Sequence, residues 1–266
     1  MKTGAKLLLA AGAVATIGAL AVGGRRRTAA GAVTSSSRGD GIFTVGYLPR
    51  SDAFASWVTT SPYRWVSPQG FVLRPGKSAV FYGPWLRGAA QRLEDGGRAL
   101  YPWVWPQPGK VAEFWARCQE LVALGCKGVL VDAERPYYAM GKAGGITKSG
   151  AAAAMAELMG ARPGGLEIGL LTYGAPPSYH PGFPWAEYRG GDWVLPMVYR
   201  SSNKAVRQTV DAQSKYYQGA DFTPVLSIDY SHKLGALRAA AAQTRQVYGS
   251  VAIWHYGYVR SRGVSV

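Results

Sequence analysis

Apolar and polar positions in this chain follow two rhythms. From Gly41 onward, short runs rich in branched and aromatic residues recur at 42–47, 79–82, 100–105, 128–132, 168–173, 193–199, 224–229 and 251–256, which predicts eight strands. Between them, segments 110–124, 148–159, 204–217 and 233–247 have helical spacing. In the first of these, Val111, Phe114, Trp115, Cys118, Leu121 and Val122 share one face, as expected of a helix packed on a sheet. Strands alternating with such helices read as βαβ units of an α/β protein. Eight of them in about 225 residues match a (β/α)8 TIM-type barrel. The stretch SPYRWVSPQGFVLRPGK reads as an irregular excursion, so the barrel is expected to be irregular in its first two units. A doubly wound open sheet is the alternative.

In such barrels the active site is built where the strands end. The strand ends here carry Tyr47, Tyr82, Trp103, Trp105, Asp132, Glu134, Tyr173, Tyr199, Asp229, Trp254 and Tyr256. Aromatic residues favour strands by composition alone, so the carboxylates carry more information. The chain has only 15 acidic residues, yet GVLVDAERPYY places two at the end of an apolar run, where burying a charge is costly. The two-residue period of a strand puts Asp132 and Glu134 on the same side, facing one mouth. A polar mouth with flat aromatic walls and two or three carboxylates is suited to glycoside cleavage. Sugar rings stack on aromatic faces, and a carboxylic acid protonates the leaving oxygen. The candidate catalytic residues are therefore Asp132, Glu134 and Asp229. Tyr47, Trp103, Trp105, Tyr173, Tyr199, Trp254 and Tyr256 are candidates for substrate binding. If the carboxyls of Glu134 and Asp229 stand about 5 Å apart, a covalent glycosyl intermediate is expected; at roughly 8 Å, Asp229 is an inverting base, a binding residue or a structural one. The plainer reading of Asp132 pairs it with a basic side chain such as Arg135.

Charge narrows the partners. The formal net charge is +15, from 30 basic and 15 acidic residues, and from Gly41 onward the balance is 24 against 14. Such a domain is drawn to polyanions: nucleic acid, anionic lipid, an acidic glycan or a wall polymer. Nucleic acid is disfavoured, because no zinc-finger spacing, RNP-like run or dense basic block with interleaved aromatics is present. At the N-terminus, MKTGAKLLLAAGAVATIGALAVGGRRRT has a basic start and an apolar run over residues 7–22. Residues 1–24 read as a secretory signal or N-terminal membrane anchor, 25–40 as a flexible basic linker and 41–266 as a single barrel domain. The triplet Arg38, Gly39, Asp40 is taken as chance within that linker.

Other chemistries find little support. Cys118 and Cys126 are poorly placed for a bond to each other and read as two small buried apolar residues. His180, in the Pro-rich loop PPSYHPGFP that is a candidate lid, His232 and His255 form no metal-ligand cluster. No Gly-x-Ser-x-Gly elbow is present, and GKAGGITKSG lacks the Walker spacing, so neither metal nor cofactor is expected.

VLVDAERP is similar to the Asp-x-Glu strand-four motif of hyaluronidases, where the segment also continues toward Arg-Pro, and to the Asp-x-Glu of wall-cleaving muramidases with an irregular barrel. ALYPWVWPQP and SVAIWHYGYV are weakly similar to the third and last barrel strands of those enzymes. The resemblance implies Glu134 as general acid/base. It also implies that Asp132 orients the substrate's N-acetyl group, which itself attacks the anomeric carbon. The implied substrate is a polymer of N-acetylated amino sugars, either peptidoglycan or an acidic glycosaminoglycan-like chain. Two features depart from the pattern: strand one lacks the Asp usual in the muramidases, and the hyaluronidase cysteine framework is missing. The expectation is an exported or membrane-tethered glycoside hydrolase. The alternatives are a catalytically silent glycan-binding or virion-surface barrel, and a binder of anionic surfaces whose attachment collapses with salt.

Overall fold

The structure is a computed structural model that describes residues 34–35, 38–44, 52–81, 83–139, 146–175, 177–199, 202–227 and 234–255. Eight parallel strands close on themselves: β1 (Gly41–Phe43), β2 (Trp65–Ser67 continuing as Gln69–Arg74), β3 (Ala99–Leu100 continuing as Trp103–Trp105), β4 (Val129–Asp132), β5 (Ile168–Tyr173), β6 (Trp193–Val198), β7 (Asp221–Phe222 continuing as Val225–Ser227) and β8 (Ala252–Trp254). Ring closure is explicit in the register. Ala252 of β8 opposes Gly41 of β1, Gly41 opposes Trp65, and Trp65 opposes Ala99. Prolines split three strands because they have no N–H for the ladder. The ladder passes over each break through the proline carbonyl, with Trp103 N–H donating to Pro68 O (2.8 Å), Leu130 N–H to Pro102 O (2.9 Å) and Ala252 N–H to Pro224 O (3.0 Å).

The expected second strand at 79–82 is not part of the ring. Lys77–Phe81 folds back antiparallel on Gln69–Arg74 as a hairpin through Gly76, whose φ of 61° suits the turn. The barrel strand is the stretch read as an excursion: Pro68 and Gly70 interrupt its β pattern, but its flanks Trp65, Val66, Phe71 and Val72 are buried. Irregularity in the first two units is thus real, and the eight-strand barrel stands.

Among the described residues six helices coat the ring: α1 (Asp52–Thr60), α2 (Gly83–Asp95), α3 (Val111–Ala123), α4 (Lys148–Gly160), α5 (Asn203–Ser214) and α6 (Leu234–Tyr248). In α3, Val111, Phe114, Trp115, Cys118 and Leu121 are buried as expected, while Val122 turns outward at 38% exposure. Thr147 and Ser202 cap α4 and α5 by accepting the N–H of Gly150 (3.1 Å) and Ala205 (3.2 Å). Both cysteines are buried and free. Burial raises both thiol pKa values, that of Cys126 to about 12, so neither is a reactive thiolate. Among the described residues no helix is long and apolar enough to cross a membrane; residues 7–22 lie outside them.

Strand alternation divides the core in two. Ile42, Val66, Val104, Val129, Val131 and Leu170 face the helices, whereas Phe43, Trp65, Tyr101, Trp103, Leu130, Leu171, Trp193 and Leu195 fill the barrel interior. Trp65 and Trp193 meet edge to face at 5.1 Å. Glycines make room for them: a Cβ on Gly41 would stand 2.0 Å from the Trp65 indole, and one on Gly169 would stand 2.7 Å from Trp193 Nε1.

The floor of the barrel is closed by the triplet read as linker. Arg38 Nε donates to Glu167 (3.0 Å) and Nη1 to Asp221 (3.3 Å), with its guanidinium 4.9 Å from the Trp193 ring centroid. Asp40 pairs with Arg245 and accepts the N–H of Val251 (2.9 Å). Replacing Arg38 leaves two carboxylates facing one another without their cation. Arg38→Ala is expected to lower unfolding stability by about 2 kcal/mol, read from urea denaturation, and Arg38→Lys to recover part of it. An unchanged midpoint for the alanine variant would show that the floor contacts contribute nothing.

Candidate active site

At the C-terminal mouth, β3, β4, β6 and β8 supply the side chains. Leu130 faces the interior and Val131 the helices, so Asp132 faces inward again and Glu134 follows on the same side. The register pairs Trp103 with Leu130 and Val104 with Val131; one step further sets Trp105 beside Asp132. Trp254 stands at the centre of the aromatic wall. Its ring centroid lies 5.4 Å from Phe43, 6.5 Å from Trp103 and 6.4 Å from Tyr199.

Several polar atoms in this region are sealed from solvent and have no hydrogen-bond partner among the described residues. They are Asp132 Oδ1, the indole nitrogens of Trp103 and Trp105 and, deeper in the interior, Ser67 Oγ. Buried polar atoms are normally satisfied, so an inward-facing group of donors and acceptors marks a place where a ligand or water completes the set. Burial, followed by the nearby charge of Glu134, raises the Asp132 pKa well above the ordinary carboxylate value. This favours the protonated form of Asp132 beside Glu134. The strand end is held from outside by Tyr188, whose buried hydroxyl donates to Val131 O.

The structure gathers Trp103, Trp105, Asp132, Glu134, Tyr199 and Trp254 at this mouth. Tyr173 also ends a strand, but it takes part in a different cluster. His180 stacks on it at 4.1 Å and 12°, and Tyr138, Phe183 and Trp185 pack around it. Tyr47, Tyr82, Asp229 and Tyr256 lie outside the described residues, as does the side chain of Arg135. Phe43, Ser67 and Tyr188 were missed from sequence. Phe43 sat in a predicted strand and shares the parity of Gly41, which was a usable signal; Ser67 was hidden in the supposed excursion, and nothing local marked Tyr188. Among the described residues no group of three or more His, Cys, Asp or Glu side chains could hold a metal ion.

No protein-family model matches the chain, and no curated protein matches it by sequence. Solved structures resemble it in fold. The spore cortex-lytic enzyme SleL of Bacillus cereus superposes with a TM-score of 0.58 at 9% identity, covering 84% of this chain and 72% of that one. A chitinase from Chromobacterium violaceum gives 0.53 at 11% identity over 81% and 94%. A chitinase from Bacteroides thetaiotaomicron gives 0.52 at 10% identity over 80% and 89%. The chain therefore has an α/β TIM-type barrel fold of the kind these glycan-cleaving hydrolases use. At such identities the likeness is one of fold.

Proposed function

We propose that this protein is a glycoside hydrolase acting outside the cytoplasm on a polymer containing N-acetylated amino sugars, peptidoglycan or an acidic glycan. The observation that carries this reading is Asp132 Oδ1: a carboxyl oxygen sealed inside the mouth without a partner, beside the charge of Glu134 and next to the aromatic wall around Trp254. A purely structural carboxylate would be expected to be satisfied by a neighbour. The fold shared with chitinases and a cortex-lytic enzyme is in keeping with a polysaccharide substrate.

In this reading the Asp132 and Glu134 pair holds one proton; as Asp132 engages the bound sugar that proton passes to Glu134, which gives it to the leaving glycosidic oxygen. Asp132 holds the acetamido group of the bound sugar, whose carbonyl oxygen attacks the anomeric carbon as the glycosidic C–O bond breaks. Glu134, now a carboxylate, takes a proton from the water that opens the resulting cyclic oxazolinium ion. Trp254, Trp103, Trp105 and Tyr199 offer ring faces to the sugar, and the two indole N–H groups offer donors. Asp229 stays a candidate for a second carboxylate. The test is reducing-end release from peptidoglycan, hyaluronan and chondroitin. No release from any of them, with glycan capture unaffected by Glu134→Gln, would leave a binding barrel instead of an enzyme.

A further inference from the structure

Among the described residues the fifth unit of the barrel has no α-helix. Between β5 and β6 the chain runs through a short 3-10 turn (Pro177–Tyr179) and a series of tight turns. This segment is anchored from within. Phe183, Trp185 and Tyr188 are buried, Trp185 Nε1 donates to His180 O (3.1 Å), and His180 stacks on Tyr173 at the end of β5. It thus covers the barrel without filling the space of a helix, and two cavities of about 510 and 540 Å³ adjoin along the flank. The smaller reaches from Lys148, in the mouth-side turn of α4, past Trp185 and Glu187 to Lys215 and Tyr216 just after α5. The larger shares Lys215 and Tyr216 and continues to Arg189 and Asp192, before β6. Each is the size of a small-ligand site.

The chemistry of the groove selects an occupant. Lys148, Arg189 and Lys215 are exposed, and among the described residues none is within ion-pairing distance of a carboxylate. Of the two acids lining it, Asp192 is already held by Arg162 at 2.6 Å, which leaves Glu187 against three cations. Lys215 Nζ lies 4.9 Å over the Tyr216 ring, and that ring lies 6.0 Å from Trp185 at 31°. Tyr179, exposed by 73%, stands in the same loop. A docked helix would need an apolar stripe. Among the described residues the exposed large hydrophobics are Val122, Tyr179 and Val247, and of these only Tyr179 belongs to this loop. Unneutralised cations beside aromatic rings fit a sugar chain bearing acidic groups.

We propose that this flank groove is a second polysaccharide-binding site, which holds an anionic stretch of polymer outside the mouth. The proposal rests on the polysaccharide reading above. It is tested with the full-length chain in a Glu134→Gln background, so that turnover does not disturb binding, using hyaluronan oligosaccharides as the charged probe and chitin oligosaccharides as the neutral one. Lys148→Glu with Lys215→Glu is expected to weaken hyaluronan binding about tenfold at low salt and to flatten its salt dependence. The control pair Arg92→Glu with Lys127→Glu makes the same change in net charge on exposed positions elsewhere and is expected to leave hyaluronan binding unchanged. Equal losses in both pairs would assign the effect to overall charge and overturn the groove, as would no loss in either. Dissociation of a dimer by the groove pair, with hyaluronan binding intact, would make the occupant a second copy and equally overturn it. Reducing-end release by the chain with native Glu134 is scored separately. Its absence would remove the hydrolase reading, and the binding comparison would still decide the groove.

Discussion

Glu134→Gln is expected to lower reducing-end release by roughly 10²–10⁴-fold while leaving glycan affinity unchanged. The amide keeps the shape and hydrogen-bonding reach of the acid but has no proton to give and cannot take one from water. The loss should therefore fall on kcat, with KM little altered, because the interaction removed is one made during bond breaking. A variant that keeps near-parental release would exclude Glu134 as the proton donor. A fall in kcat/KM confined to KM would make it a binding residue.

Asp132→Asn should separate activity from stability. Because its folded-state pKa lies above the ordinary carboxylate value, the folded protein keeps a proton there that the unfolded chain has lost. Stability on this account is undiminished below the ordinary value and falls as pH rises through the window up to the raised one. Asparagine is neutral at every pH and of nearly the same shape. The variant should lose that decline and gain on the parent as pH rises through that window, by about 1.4 kcal/mol for each pH unit the window spans. Turnover should fall about 100-fold, since a positioned polar partner of the reacting group is changed. Urea midpoints across the pH range decide the matter. If parent and variant run parallel, the carboxyl is not held neutral by its surroundings, and its role in the mouth is that of an ordinary ionised side chain.

How much of this was legible depends on the range of the interactions involved. The apolar run into Asp132 and the face of α3 are local patterns, and both stand as read except for Val122, which turns outward. The second strand was misplaced because Pro68 and Gly70 resemble loop chemistry, while the hydrogen bonds that make it a strand come from β1 and β3, distant in sequence. The helix α2 begins with Gly83 and Pro84, an N-terminal signal that could have been used; α1, at nine residues, offers too little periodicity. Arg38 and Asp40 were unreadable for the same reason as β2. Their partners Glu167, Asp221 and Arg245 lie more than a hundred residues away, and the local sequence is that of a tether. At the mouth, residue type and strand parity set Trp103, Trp105, Asp132 and Trp254 at strand ends, and that is where these residues stand. The stacking of Tyr173 on His180 depends on how a proline-rich loop folds back, which parity does not encode.

The floor ties also set the order of assembly. Asp40 meets Arg245 and Val251, 205 and 211 positions later, in the same place where β8 joins β1. Contacts of such separation form late, because the loop they close must first be ordered. The ring therefore cannot lock during synthesis until the chain through Val251 has emerged. Until then β1 and β7 are open sheet edges that invite pairing with other chains, and a helper that shields them would act in that interval.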